Sequence, residues 1–330
     1  MSKTVGKTAG IIGLGIMGSA ISRNLAERGW RVIGFDTDAG RRNEAAKAGV
    51  IIAEDTAQVA RDAAIIMTSL PNPAAVLDVA GIIAKSAPSP CIVAELSTLT
   101  IADKLRFEAI LSKAGHVALD CPLSGTGSQA AVRDLVVYAS GNSNAIVQCT
   151  PLFADFAKQS ADLGAFGNGS KMKFIANHLV AIHNVASAEA MVLAERAGLD
   201  PQAVVDLVSP GAGSSRVFQL RAPMMVERVY EPATMKVSIW KKDMAIIAEF
   251  AEQVGCATPI FTLTQPVYTE AMAMGLGDQD TAAVFEVLKK TIITEPKPAA
   301  GNSPATTGFS AELRDQIDRA SMPHCIKAKP

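Results

Sequence analysis

Three glycines, in the order Gly13-Leu-Gly15-Ile-Met-Gly18, follow a short apolar run and directly precede an amphipathic stretch from Ser19 to Arg28. No other feature restricts the fold as strongly. A strand must turn sharply into a helix there. The first glycine permits the tight turn, the second lets a pyrophosphate approach the backbone, and the third lets the helix pack close to the sheet. The new helix N-terminus offers free N–H groups and the positive end of its dipole. Gly13, Gly15, Ile16, Met17 and Gly18 are therefore the expected phosphate-side contacts. A glycine pattern of this length can be an ordinary turn. Within a strand–turn–helix–strand unit it reads as a dinucleotide cradle.

The surrounding pattern supplies that unit. Strands are expected at Ile11 to Leu14, Arg31 to Phe35, Ala64 to Ser69 and Ile92 to Glu95, with a helix-like segment between each pair. Two more follow, at His116 to Asp120 and Val136 to Ala139. Alternation at this spacing predicts a parallel sheet with crossover helices, a Rossmann-type doubly wound α/β domain. Next comes a glycine-rich stretch, 164–170, opening a helical pattern from about Lys171 to Arg196 that is apolar on more than one face. Such a helix must be buried between domains or subunits. The chain then reads as helical to about Leu288. The expected organisation is a Rossmann domain over 1–166, an interdomain helix over 167–196, an all-α domain over 197–292 and an extended tail over 293–330. Within the tail, Ser310 to Ala320 reads as one short helix.

Asp36 ends the second strand, 18 residues beyond Gly18. A carboxylate there accepts both ribose hydroxyls of an adenosine and repels a 2′-phosphate, which favours NAD and makes NADP the lesser expectation. Arg41 and Arg42 stand near enough to keep that preference open to test.

Composition removes other classes. The 31 basic and 32 acidic residues nearly cancel, so nothing draws nucleic acid. No run reaches 18 uninterrupted apolar residues, and the N-terminus has no apolar signal core, so neither a membrane nor export is expected and a cytoplasmic location is. The cysteines, Cys91, Cys121, Cys149, Cys256 and Cys325, are odd in number and scattered, without disulfide-framework or zinc spacing. The four histidines also lack metal spacing, so no metal is expected. Only 19% of residues are charged, against roughly 25% in a typical domain. The apolar surplus suggests surface given to a partner subunit.

Five motifs in order then resemble the β-hydroxyacid dehydrogenase family, which includes 3-hydroxyisobutyrate dehydrogenase and tartronate semialdehyde reductase. The glycine loop is similar to the family's cofactor loop. Leu70-Pro71 and Ser97-Thr98 resemble its further cofactor-contacting loops, and Asp120-Cys-Pro-Leu-Ser124-Gly125-Thr126 its substrate loop. Gly167-Asn-Gly169-Ser-Lys-Met-Lys173 followed by Asn177 is similar to its catalytic segment, and Lys242-Asp243-Met244 to a signature of its C-terminal domain. Ala176 departs from the usual Asn or His, Thr126 stands where a second glycine is usual, and Arg133-Asp134 replaces a common Gly-Thr. These departures surround the substrate loop and leave the substrate open.

The resemblance implies NAD-dependent oxidation of a small, carboxylate-bearing β-hydroxyacid such as 3-hydroxyisobutyrate to its semialdehyde or keto acid, or the reverse. Threonate-like sugar acids and aromatic β-hydroxyacids are the alternatives. Removing the hydroxyl proton as a hydride departs requires a general base, which the resemblance assigns to Lys173. An ordinary lysine titrates near 10.4, so that role requires a desolvated amine. Asn177, one helical turn on, shares its face and would orient the reacting oxygen. Ser124, Gly125 and Thr126 would grip the carboxylate; Leu70, Pro71, Thr98 and Lys242 would meet the cofactor. Gly211 to Phe218 resembles a pocket-lining stretch, though a helix-joining loop reads as well. A non-catalytic dinucleotide-binding scaffold is the rival of another class. Imine reductases of this scaffold typically replace the lysine, and 6-phosphogluconate dehydrogenase has a C-terminal domain too large for this chain.

Overall fold

The computed structural model describes residues 7–290. The tail from 293, with its expected helix at Ser310 to Ala320, lies outside these residues, as do Cys325 and His324. The described chain groups into two compact units, divided between Ala176 and Asn177.

The first unit is built on β1 (Thr8–Ile12), β2 (Arg31–Phe35), β3 (Ile51–Ile52), β4 (Ile65–Thr68), β5 (Ile92–Glu95), β6 (Val117–Asp120), β7 (Leu123–Ser124), β8 (Val136–Gly141) and β9 (Gln159–Asp162). The sheet runs β3-β2-β1-β4-β5-β6-β8-β7, with β9 also paired to β8. Strands β1 to β6 pair in parallel, and β8 runs antiparallel to β6 and β7. Strand order reverses between β1 and β4, the switch point at which loops from the carboxyl ends leave a crevice.

Helices α1 (Ile16–Glu27), α2 (Ala39–Lys47), α3 (Thr56–Asp62), α4 (Pro73–Ser86), α5 (Ile101–Lys113), α6 (Gly127–Ala131) and α7 (Ser143–Phe156) connect the strands. Both sheet faces are covered, so the strands read as nearly continuous apolar runs. The period of two still sorts them. Ile11, Val32, Met67, Ala94 and Leu119 face the core shared with Ile21, Leu25 and Phe153. Ile12, Ile33, Ile66, Val93 and Ala118 face the other, with Val59, Ile83, Phe107 and Leu111. Each fully buried Ile, Leu or Phe contributes about 1.5–3 kcal/mol.

Helix α8 (Asn168–Arg196) runs on from β9, and α9 (Pro201–Val208), α10 (Arg216–Glu227), α11 (Val237–Gln253), α12 (Pro259–Ala273) and α13 (Val284–Lys290) follow within the described residues. Asp200 caps α9 ahead of Pro201, and Ser215 caps α10. Inside the second unit, Asn184 Nδ2 donates to Tyr268 Oη at 2.8 Å and to the Thr281 carbonyl at 2.9 Å. The Asp280 carboxylate accepts the N–H groups of Thr234 and Ala282 at 2.8 and 3.0 Å and pairs with Arg221 at 3.4 Å.

Three strands differ from the sequence reading. β3 and β7 have two residues each, and β9 has the polar sequence Gln-Ser-Ala-Asp with no apolar alternation. All three are fixed by their neighbours' hydrogen bonds. Helix α1 starts at Ile16, three residues earlier than its amphipathic pattern, because Gly15 serves as its N-cap. Helix α8 likewise begins within the glycine-rich stretch, at Asn168.

Candidate active site

The glycine loop divides its labour as its spacing implies. Gly13 has φ +95°, and a Cβ there would lie 2.1 Å from the Ser69 carbonyl oxygen. A Cβ on Gly18 would lie 1.9 Å from the Gly13 carbonyl oxygen, so α1 seats directly on the turn. Gly15 is different: the nearest atom to a Cβ there is an Arg41 nitrogen at 3.9 Å. The turn and the packing forbid a side chain at the outer positions, while the middle one faces open space. No side chain caps this end of α1, and Ile16 is exposed. These residues fit the pyrophosphate of a dinucleotide.

Asp36 is buried beside the loop. Its Oδ2 accepts the Leu14 N–H at 2.8 Å and pairs with Arg41 Nη1 at 3.4 Å; its Oδ1 accepts the Asp38 N–H at 2.8 Å. Arg42 Nη1 donates to the Asp36 carbonyl at 2.6 Å and lies over the Phe35 ring. Both arginines are thus engaged at the end of β2. At the next strand ends, the Leu70 N–H donates to Ser97 Oγ and the Ser97 N–H to Glu95 Oε1, each at 2.8 Å. Leu70 and Ser97-Thr98 therefore belong to one hydrogen-bonded edge, with Thr98 half-buried and Pro71 exposed.

The substrate-loop motif leaves β6 at Asp120 and passes through β7. Gly125 has φ +128°, and a Cβ there would meet Leu135 at 2.5 Å, so glycine is required. Thr126, with φ −107°, has an ordinary extended conformation and needs no glycine. Its N–H donates to Gln129 Oε1 at 3.1 Å. Arg133 has φ +61°, a left-handed conformation that glycine adopts far more readily. Asp134 pairs with Lys158 at 2.5 Å.

Lys173 sits in the second turn of α8 with 7% of its surface exposed, whereas Lys171 points outward. Phe174 is buried next to it. The first turn of α8 is fixed on strand ends: the Ser170 N–H and hydroxyl donate to the two Asp120 carboxylate oxygens at 2.7 and 2.8 Å, and the Gly169 N–H donates to Ser140 Oγ at 2.9 Å. Four residues beyond Lys173 on the same helix is Asn177, also buried. Within the second unit Asn177 Nδ2 donates to Asp243 Oδ2 at 3.4 Å, and Lys242 pairs with Asp243 Oδ1 at 2.9 Å. The Lys-Asp signature of α11 thereby holds Asn177. Residues 211–215 join α9 to α10, with Ser215 as cap. His178 stacks on Phe261 at 5.2 Å, and burial lowers its pKa.

Burial raises the thiols of Cys91 to about 11 and Cys149 to about 12, and carries Cys121 well above the usual range. None of these supplies a thiolate nucleophile. Among the described residues no group of three or more His, Cys, Asp and Glu is arranged to hold a metal ion, and no helix is long and apolar enough to cross a membrane. Glu95 and Lys104, which sequence reasoning passed over, are fully buried and ion-paired; Lys104 also pairs with Asp120 at 2.9 Å. The only signal in the chain was a lysine on the inward face of an amphipathic helix.

A family model described as the NAD binding domain of 6-phosphogluconate dehydrogenase matches residues 8–166. A second, described as NAD-binding of NADP-dependent 3-hydroxyisobutyrate dehydrogenase, matches residues 167–288. Among curated relatives, glyoxylate/succinic semialdehyde reductase 1 of Arabidopsis thaliana is 29% identical over 285 residues, 85% of this chain and 98% of the relative. The L-threonate dehydrogenase of Cupriavidus necator is 28% identical over 286 residues, 85% and 96% of the two chains. The crystal structure of 3-hydroxyisobutyrate dehydrogenase from Salmonella typhimurium is similar with a TM-score of 0.77 at 28% identity, covering 85% of this chain and 99% of that one.

Proposed function

The chain belongs to the β-hydroxyacid dehydrogenase family, an oxidoreductase acting on CH–OH groups with an NAD(P)-binding domain, and from this premise we propose that it interconverts a small 3-hydroxyisobutyrate-like β-hydroxyacid and its semialdehyde or keto acid, with NAD and with Lys173 as the general acid/base. The observation that carries this reading is a buried lysine in the second turn of a helix held on the strand ends. Desolvation disfavours an ammonium, so burial is the condition under which a lysine takes a proton near neutral pH.

Gly13, Gly15, Ile16, Met17 and Gly18 would hold the dinucleotide's phosphates, Asp36 its ribose hydroxyls, and Leu70, Pro71 and Thr98 the stretch beyond; when bound, the nicotinamide supplies the hydride acceptor or donor. Ser124, the Gly125 N–H and the Thr126 side chain would bind the substrate carboxylate, the Thr126 N–H being taken up by Gln129. Lys173 Nζ takes the hydroxyl proton in oxidation and returns it in reduction, while Asn177 orients that oxygen. Asp243 fixes the Asn177 amide so that it donates in one direction.

Relatives named for glyoxylate, succinic semialdehyde and threonate support a short carboxylate as the substrate class. Asp36 supports NAD. One matched family model is described for an NADP-dependent enzyme, so both dinucleotides belong in the test. Exposed Leu179, Leu193, Leu207 and Ile260 on the α-helical unit support a homodimer or homotetramer. The deciding assay follows absorbance at 340 nm with NAD and NADP across short β-hydroxyacids, sugar acids and aromatic β-hydroxyacids. Turnover confined to one class fixes the substrate, and none with any of them overturns the proposal.

A further inference from the structure

We propose that Lys104, clamped between Glu95 and Asp120, is a positioning residue for the reaction: it locks the first turn of α8, and through it Lys173, to the two strand-end loops carrying Leu70 and Thr98. The inference rests on the reading of Lys173 as acid/base.

Glu95 and Asp120 are register partners at the carboxyl ends of neighbouring parallel strands, so their side chains leave the same face side by side. Both are completely buried. Two carboxylates in that arrangement repel, and their burial removes bulk-solvent screening. Lys104 enters from α5 and bonds both, contacting Glu95 Oε2, Asp120 Oδ1 at 2.9 Å and the Glu95 carbonyl at 3.4 Å. Burial pushes the Lys104 ammonium down, but the two carboxylates outweigh it and hold it above the ordinary lysine range. The ammonium is thus paired with a carboxylate on each side.

From this centre two chains of bonds lead outward. On one side Glu95 Oε1 accepts the Ser97 N–H and Ser97 Oγ accepts the Leu70 N–H, both at 2.8 Å. On the other, Asp120 accepts both donors of Ser170, and the Ser140 hydroxyl bridges Asp120 and the Gly169 N–H. A Cβ on Gly169 would lie 2.2 Å from the Tyr138 carbonyl oxygen, so the helix start packs directly on the strand backbone. Ser170 and Lys173 are three residues apart on one rigid helix, about 4.5 Å along its axis. A shift of the first turn is transmitted to the lysine amine, and a displacement near 1 Å costs on the order of 10²-fold in rate.

The test compares Lys104→Met and Ser170→Ala with Ser170→Thr, with Lys173→Ala, and with Leu111→Ala as a core-destabilising control in the same unit. Melting temperature, NADH affinity by fluorescence, and kcat and KM are read for each. The expected result for Ser170→Ala is a kcat about tenfold lower, with KM and NADH affinity within twofold and recovery in Ser170→Thr; Lys104→Met falls further and also weakens NADH. In a Lys173→Ala background, Ser170→Ala should add no further loss. If Lys104→Met does not fold, Ser170→Ala decides the matter alone. The proposal is overturned if Ser170→Ala behaves as Leu111→Ala, with lower melting but unchanged kcat, or if its loss is the same without Lys173. Should Lys173→Ala itself retain full turnover, the acid/base reading fails first, an outcome distinct from a silent Ser170→Ala beside an inactive Lys173→Ala.

Discussion

The backbone N–H of Leu14 donates to the Asp36 carboxylate at 2.8 Å, tying the glycine turn to the end of β2. The group proposed to read the ribose also ties down the glycine turn. Asn in place of Asp36 keeps an acceptor for Leu14 and releases Arg41 from its ion pair. Asp36→Asn should lower kcat/KM with NAD about tenfold, on the order of 1.4 kcal/mol, and raise turnover with NADP. An unchanged NADP-to-NAD ratio in steady-state assays would show that Asp36 does not read the ribose.

Gly15 and Gly18 should separate binding from folding. Gly18→Ala drives a methyl into the Gly13 carbonyl. It should cost about 3 kcal/mol and several degrees of melting temperature. Gly15→Ala meets open space, so it should leave melting within about 3 °C while weakening NADH binding roughly tenfold. Calorimetry and fluorescence titration check the pair. Equal losses of stability would refute this division.

Lys173→Ala should reduce kcat by about 10²–10⁴-fold, the range for loss of a general acid/base, with NADH affinity retained. Stopped-flow or steady-state rates across the hydroxyacid panel measure it. A kcat within threefold of the parent would remove Lys173 from the chemistry.

Arg133 occupies left-handed backbone at φ +61°. Relief of that conformation by glycine outweighs the extra chain entropy that glycine loses on folding, so Arg133→Gly should stabilise the first unit by about 0.5–1 kcal/mol in urea unfolding. A destabilised variant would mean that the guanidinium makes a contact worth more than the strain.

Asp280 predicts an acid limb. Burial alone raises its pKa, but Arg221, Thr234 and the Ala282 and Met235 N–H groups outweigh that and hold it below 3.8. A carboxyl depressed in the folded state contributes stability that is present above the unfolded pKa and lost as pH falls through the folded one. The helical unit should therefore weaken below about pH 4. Asp280→Asn should be about 3–5 kcal/mol less stable at neutral pH, with Arg221 left unpaired, and should have a flatter acid limb. Thermal melts from pH 7 to pH 2 distinguish the two curves.

Features governed by local periodicity and backbone sterics were legible in the sequence. The β2 and β5 boundaries follow from apolar runs, and the Gly13, Gly15 and Gly18 roles from what a turn, an open approach and a close packing each require. Lys173 and Asn177 share a helix face because 3.6 residues make a turn. The short strands β3, β7 and β9 carry no such period; neighbouring strands hold them in place. Tertiary structure alone set Glu95 beside Asp120 and drove Lys104 between them. Residues 25 apart become neighbours only through sheet register, and the energy of a buried charge depends on which partners the fold brings to it.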